Sequence, residues 1–295
     1  TYGENISLNQ LIREYTSLEV DDEDSDAHYT LVELFNVHSD SQDLMDIDKL
    51  REYLSLTAPV AFDPDFQYAQ ELDEELRRYV DDYDTVALTL NGQPVYKPFL
   101  PGSKAPKNLL VFPDDGDEVD KPIAFCWYCE NSDKGQFGDK KRQGFFYRVK
   151  NFSVGDNQLP RVTLWKASPE RAFYFFGEIH ICDPGIIPSA DRSNFEQNDE
   201  RERLYRAGAK QISRHLNTLA GESSDERRAR DFIVDSEKKE KKISQAVGGK
   251  GIPKELRLDK AIELSTAVEN VEKRLKNASD GFRERGENVI REGKA

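Results

Sequence analysis

A polar loop carrying one arginine follows an apolar strand in the second half of the chain. Residues 177–188 have the pattern of a strand that runs into an apolar turn, and Arg192 comes shortly after them. Ser193 and Glu196 have the spacing of a capping box, which predicts that a helix begins at Ser193. An arginine beside a helix N-terminus is well suited to binding an anionic oxygen. The alternative is that Arg192 pairs with Asp191 or Glu196 and only holds the loop.

The three cysteines and one of the histidines could suggest a zinc site. Cys126 and Cys129 form a C-x-x-C pair, and His180 and Cys182 lie in another predicted strand. Zinc takes four nitrogen or sulfur ligands in a tetrahedron, but strand residues three positions apart point to opposite faces of a sheet. We therefore expect core cysteines and no metal site, and a cysteine-based or zinc enzyme is the less favoured alternative.

A glycine-rich stretch at residues 248–251 could hold a phosphate group. No predicted strand precedes it and no Walker pattern surrounds it, so a turn between two helices explains it better. His28, His38 and His215 have no nucleophile beside them in the sequence. Residues 248–251 and these histidines therefore do not indicate a nucleotide site or a catalytic triad.

The composition restricts the classes of partner. The 295 residues are 37% hydrophobic and 33% charged, with a net charge of -14. Such an acidic chain lacks the cationic surface of broad nucleic-acid binders, so nucleic acid is not an expected partner. No apolar run approaches the ~20 residues of a membrane span, and three cysteines do not form a disulfide framework. We predict a soluble cytoplasmic protein with no membrane partner. Because the chain begins at Thr1 and its only methionine is Met45, we expect a piece of a longer polypeptide.

The predicted elements are helices placed between short aromatic strands, which is typical of an α+β fold. Helices are predicted after the cap Asp46, over 66–80, and from Ser193 to Gly221. Strands are predicted at 28–37, 85–90, 94–96, 123–129, 145–152, 162–165 and 172–182. Asn91-Gly92 is a strong hairpin turn.

The C-terminal part of the sequence is predicted to be helical. In its last helix, apolar residues recur at alternating spacings of three and four, at Ala261, Leu264, Val268, Val271, Leu275, Ala278 and Phe282. This coiled-coil-like heptad seam predicts a helical hairpin within one chain or a contact in a homodimer. The predicted domains are a linker or the end of an upstream domain at 1–27, an α+β middle domain at 28–221, and a helical C-terminal region at 222–295.

The strand, loop and helix at 177–196 resemble the transducer segment of the GHKL ATPase superfamily, especially the ninety-kilodalton heat-shock chaperones. Gyrase B and MutL share the same general arrangement. Residues 29–37 resemble the first transducer strand, 46–62 the helices after it, and 144–152 the strand before the active loop. The resemblance covers residues 28 to 219.

The resemblance implies a fold like domain two of the small-subunit ribosomal protein S-five, with a left-handed crossover. In the superfamily, this domain sends a basic residue to the terminal phosphate in the preceding nucleotide-binding domain. Arg192 matches that position, where it would stabilise charge on the phosphoryl oxygens. Secondary candidates for nucleotide binding lie in another polar loop: Lys134, Lys140, Lys141 and Arg142.

The sequence departs from the family because the Asn-bearing helix, the Asp-x-Gly-x-Gly turn and the glycine-rich lid of the nucleotide-binding half are not found in it. The resemblance therefore implies a fragment that is inactive alone, whereas the intact protein would use ATP and Mg²⁺. Its expected partners are the missing N-terminal ATPase domain and a protein client. A prediction from a different class is a stand-alone interaction module that dimerises through the seam and has no nucleotide role.

Overall fold

The computed structural model of the protein describes residues 45–113, 121–247 and 254–294. The chain divides into two units, Thr1–Met45 and Asp46–Ala295, and the elements given below belong to the second. The predicted strand at 28–37 and the predicted turn at 248–251 lie outside the described residues. The predicted domain boundaries remain predictions, although one helix runs uninterrupted through residue 221.

The elements follow one another in a mixed α+β order. Before the main sheet come α1 (Ile47–Thr57), α2 (Ala69–Tyr79) and the hairpin of β1 (Thr89–Leu90) with β2 (Gln93–Pro94). The main-sheet region holds β3 (Lys107–Val111), β4 (Ala124–Glu130), β5 (Gly144–Val149), β6 (Phe152–Val154), α3 (Gln158–Leu164) and β7 (Phe175–Ile181). The C-terminal part holds α4 (Asp199–Gly208), a π-helical turn (Ala209–Ser213), α5 (Arg214–Val247), α6 (Lys254–Arg274) and α7 (Asp280–Lys294).

The main sheet has five strands in the order β3-β4-β7-β5-β6. All neighbouring pairs are antiparallel except β5 and β7, which are parallel, with Arg148 opposite His180. The central strand β7 is buried along its whole length, as expected for a strand covered on both faces.

Each face of the sheet has its own apolar core. Cys126, Tyr147 and Ile179 face a core that is completed by Leu164 of α3, Leu204 of α4, Ile212 of the π-helical turn and Leu216 of α5. Trp127, Cys129 and Phe176 face a second core, to which α2 contributes Leu72 and Leu76. The sheet is therefore the middle of three layers, and residues that alternate along one strand enter different cores.

The C-terminal helices α5, α6 and α7 pack together around Ile233, Val271 and Val289. The continuous helix expected over Ala261–Phe282 is wrong, because α6 ends at Arg274 and a short 3₁₀ turn separates it from α7. Several seam residues join this core within the chain: Val271, Leu275, Ala278 and Phe282. A dimer contact through the seam remains a prediction.

Several local predictions differ from the structure. The strand predicted over 145–152 is divided into β5 and β6, and the helix predicted to end at Gly221 continues to Val247. The expected strand at 162–165 belongs mostly to helix α3, because helical spacing buries Pro160 and Leu164 while Val162 stays exposed. The helix expected from Ser193 begins at Asp199 instead, where the Asn198 side chain accepts a hydrogen bond from the Arg201 amide at 2.9 Å. No described helix is long and apolar enough to cross a membrane.

Candidate functional site

The loop after β7 holds Arg192 in one backbone conformation. Arg192 has a φ of 55°, a left-handed conformation that costs a non-glycine residue roughly 1 kcal/mol or more. Its amide donates to the Ser189 carbonyl at 2.8 Å, and its carbonyl accepts from the Gly155 amide at 2.8 Å. Both the amide and the carbonyl of Arg192 are therefore held by hydrogen bonds, so the point from which the side chain extends is fixed.

The Arg192 guanidinium has no carboxylate within 4.0 Å among the residues that the structure describes. It lies over the Phe152 ring, 5.1 Å from the centroid, and reaches the Ser153 and Val149 carbonyls with long contacts of 3.4 Å. Burial lowers the pKa of Arg192, yet an arginine in a protein stays charged. Within the described part of the chain, its positive charge is therefore not neutralised by an ion pair.

The Asp191 side chain forms its hydrogen bonds within its own loop and not with Arg192. Its Oδ1 accepts hydrogen bonds from the Ser189 hydroxyl at 2.7 Å and from the Ser193 amide and hydroxyl at 3.1 and 3.0 Å. These hydrogen bonds, led by that of Ser189, lower the pKa of Asp191. The alternative in which Arg192 pairs with Asp191 or Glu196 is therefore not what the structure contains. The expected helix N-terminus beside Arg192 is also absent, because α4 starts at Asp199.

Arg192 lies on the wall of a cavity of about 720 Å³, which we call the Arg192 groove. Its lining comes from α1, including Leu56, from Phe146 of β5, from β6, and from the loops at 140–141, 155–157 and 191–192. The charged residues in its lining are Lys49, Glu52, Lys140, Lys141, Asp156, Asp191 and Arg192. The Tyr53 and Phe152 rings in its lining are 62% and 44% exposed, so the groove offers apolar surface beside its cations.

The structure brings two of the secondary candidates, Lys140 and Lys141, to this groove. Their loop is anchored because the buried Asn157 side chain donates to the Lys140 carbonyl at 2.9 Å and to the Gln143 carbonyl at 2.8 Å. Lys141 forms an ion pair with Glu52 of α1 across the groove. Lys140 has no carboxylate partner among the described residues.

The other two secondary candidates point elsewhere. Lys134 forms an ion pair with Glu226 of α5 at 3.0 Å. Arg142 lies 3.6 Å from Asp139 and lines a different cavity, of about 490 Å³. Neither of them lines the Arg192 groove.

Next to the Arg192 groove lies a buried charge cluster that the sequence did not reveal. Glu178 of β7 is 3% exposed and accepts from Arg148 at 2.6 Å, Lys97 at 3.0 Å and the Trp127 indole at 3.2 Å. The small space beside Glu178 is also lined by Leu56 and Phe146, which line the Arg192 groove as well. The cluster and the groove are therefore adjacent, with these two side chains in common.

The ionisation states in this cluster follow from burial and charge. Burial by itself raises the pKa of Glu178, but Arg148 and Lys97 outweigh it and hold that pKa well below its usual value. Burial lowers the pKa of His180 to about 4 and that of Lys97 to about 8. At neutral pH His180 is therefore uncharged, and its Nε2–H donates to Glu178 at 3.0 Å. Lys97 also donates to Asn151 at 2.6 Å, which ties the chain before β3 to the β5–β6 turn.

The cysteines lie as the alternation of the strand predicts. Cys126 belongs to the core under the helices and Cys129 to the core on the other face. Burial raises the pKa of Cys126, and it raises that of Cys129 to about 12. Within the described ranges, no group of three or more His, Cys, Asp or Glu residues could hold a metal ion. Both thiols therefore pack in the two cores.

No protein-family model, curated protein or solved structure matches this chain. The geometry of the site is therefore the basis for its function: a positioned arginine, with no carboxylate partner among the described residues, shares a partly apolar groove with three lysines and three carboxylates.

Proposed function

We propose that this chain is the transducer and helical C-terminal part of a chaperone-like GHKL ATPase, with an S-five-like fold. In this proposal, Arg192 contacts the terminal phosphate of ATP held by a separate N-terminal domain. The observation that carries the proposal is the charge of Arg192, which is fixed at its backbone and paired with no carboxylate among the described residues. The resemblance of 177–196 to the transducer segment supplies the class of ligand.

The chemistry asked of Arg192 is electrostatic. A guanidinium donates to two phosphoryl oxygens at once, and an already oriented donor stabilises the charge that develops as the phosphoryl group transfers. Lys140 and Lys141 add positive charge in the same groove, although Lys141 must first leave Glu52. The Phe152 ring excludes water from one face of the guanidinium, which strengthens its interaction with an anion.

The loop that carries Arg192 is also connected to the C-terminal helices. The Tyr205 hydroxyl of α4 donates to the Asn194 side chain at 2.9 Å, and Asn198 at the helix start donates to the Gly185 carbonyl at 2.8 Å. Through the π-helical turn, α4 continues into the 34 residues of α5. A shift of the loop on phosphate binding would therefore be transmitted through α4 and the long helix α5 to the other C-terminal helices.

A second candidate function is the stand-alone interaction module that dimerises through the seam. One observation favours it: Ala261 is exposed and Ile262 is 58% exposed, so the first part of α6 leaves apolar surface uncovered. The Arg192 groove has no role in this alternative.

ATP hydrolysis by the intact polypeptide, or by this chain mixed with its N-terminal domain, tests the proposal. Arg192→Ala should lower kcat by about 100-fold or more, the range seen when an arginine or similar donor to a transition-state oxygen is removed. Lys134→Ala is the matched control, because Lys134 pairs with Glu226 away from the groove lining, and it should retain activity. Unchanged hydrolysis in a folded Arg192→Ala protein would favour the interaction module.

A further inference from the structure

A second concave surface is strongly basic, although the chain as a whole is acidic. It has a volume of about 910 Å³ and lies between α3, the segment at 166–171, α4 and the start of α5, and we call it the basic cleft. Its basic residues are Lys166, Arg171, Arg206 and Arg214, against the single carboxylate of Glu202. It shares no lining residue with the Arg192 groove.

No carboxylate among the described residues pairs with the basic side chains of the cleft. Glu202, the one acidic residue of the lining, already accepts from Arg201 at 2.6 and 3.2 Å. Arg171 donates to a backbone carbonyl, that of Asn217, at 2.7 Å. Within the described part of the chain, none of the four basic side chains of the cleft has a carboxylate within 4.0 Å.

The π-helical turn Ala209–Ser213 aligns two of these arginines. In a regular α-helix, residues eight positions apart differ by about 80° around the axis, at 100° per residue. A π-turn takes up about one extra residue, so Arg206 and Arg214 come to lie about two turns apart on nearly the same face. Single π-turns within helices are frequent at functional sites, and this one brings two cations to one side of the cleft.

A close contact between α3 and α4 forms one wall of the cleft. A Cβ atom added at Gly208 would lie 2.9 Å from Leu164 Cδ2, so the missing side chain lets α3 approach the helix backbone. Lys166, two residues after Leu164, lines the cleft together with the arginines of α4 and α5. Ser213, Asn217 and Thr218 add polar side chains to the lining.

We propose that the basic cleft binds an oligophosphate chain, such as that of a nucleoside triphosphate or of free inorganic triphosphate. Four cations against one engaged carboxylate match a compact ligand with about four negative charges, which a triphosphate carries near neutral pH. Guanidinium groups bind phosphate oxygens bidentately, which favours phosphate over a single carboxylate. The site is separate from the Arg192 groove, so it stands or falls independently of the proposed function.

A nucleic-acid duplex fits the cleft less well. Duplex binding needs a cationic surface along many phosphates, whereas these cations are confined to one cavity on a protein of net charge -14. The remaining acidic surface would repel a long polyanion more than a short one.

Titration calorimetry of the 295-residue chain with sodium triphosphate tests the proposal. Arg206→Gln with Arg214→Gln should weaken binding by about tenfold for each arginine, because each change removes charge-assisted hydrogen bonds. Arg228→Gln is the matched control, since Arg228 is an exposed arginine of α5 outside the cleft lining, and it should change affinity by less than about twofold. If the double variant does not fold, Lys166→Gln, at an exposed position two residues after α3, replaces it.

Further titrations distinguish the two sources of phosphate, and they distinguish binding in the basic cleft from binding in the Arg192 groove. Equal affinity for ATP and triphosphate would identify the phosphate chain of a nucleotide as a sufficient ligand, and much weaker ATP binding would identify free oligophosphate. Binding that survives in the double variant but disappears in Arg192→Ala would overturn the inference, and so would duplex DNA binding more tightly than triphosphate. Absence of triphosphate binding to the unmodified chain would overturn it as well.

Discussion

The buried Glu178 cluster gives the sharpest test of how this fold is held together. Glu178→Gln keeps the shape of the side chain but removes the charge that two cations, Arg148 and Lys97, share in the interior. Removing one partner of a buried ion pair leaves an uncompensated charge and costs about 3–5 kcal/mol. Since a domain has only about 5–15 kcal/mol of stability, this change should remove a large part of it.

The assay is urea unfolding, followed by the fluorescence of Trp127 and Trp165, which are both buried. Glu226→Gln is the control, because its ion pair with Lys134 is partly exposed and should contribute less than about 1 kcal/mol. The double variant Glu178→Gln with Arg148→Met removes one charge of each sign and should be more stable than Glu178→Gln alone. A loss below about 1 kcal/mol for Glu178→Gln, or a double variant no better than the single one, would refute the reasoning.

Further predictions concern pH, helix capping and thiol reactivity. The pKa of His180 falls from 6.5 to about 4 on folding, so its neutral form contributes stability that is fully present above pH 6.5. Roughly 3 kcal/mol of that stability should disappear between pH 6.5 and 4. Urea unfolding across this range should show the loss, and His180→Gln should flatten it. Asn198→Ala removes the cap of α4 and should lower the free energy of unfolding by about 1 kcal/mol, whereas Asn108→Ala at an exposed strand position should not. The buried thiols of Cys126 and Cys129 should react with a thiol reagent only after unfolding, and fast labelling of the native protein would contradict their assignment to the core.

Local sequence patterns were sufficient for several elements. Asp46 caps α1 as predicted, accepting from the Lys49 amide at 3.1 Å. Leu72 and Leu76, at helical spacing, are the buried face of α2. Asn91 and Gly92 both have positive φ values and connect β1 to β2 as a hairpin turn. These features depend on residues within one or two turns of each other, which is why a pattern could reveal them.

Local patterns failed where packing outweighed propensity. The β-branched residues at 162–163 favour a strand, yet burial of Pro160 and Leu164 is achieved only by the helix α3. Ser193 and Glu196 have capping-box spacing, but the Ser193 hydroxyl donates to Asp191. The helix is instead capped by Asn198 and begins at the next residue. At 162–163 packing against the core outweighed the local β propensity, and at Ser193 a hydrogen bond to Asp191 replaced the predicted capping box.

The sequence by itself determined the α+β class, the alternation that sends Cys126 and Cys129 to different cores, and the polar loop around Arg192. Only the tertiary structure decided which other residues that loop meets. Lys141 reaches the groove of Arg192 from a position 51 residues earlier, and Lys97 meets Glu178 across 81 residues. The one signal for Glu178 in the sequence was a charged residue within an apolar predicted strand. That signal could not identify the cations that pair with Glu178. Ion pairing depends on distance in space, and sheet order, which no local pattern encodes, sets that distance.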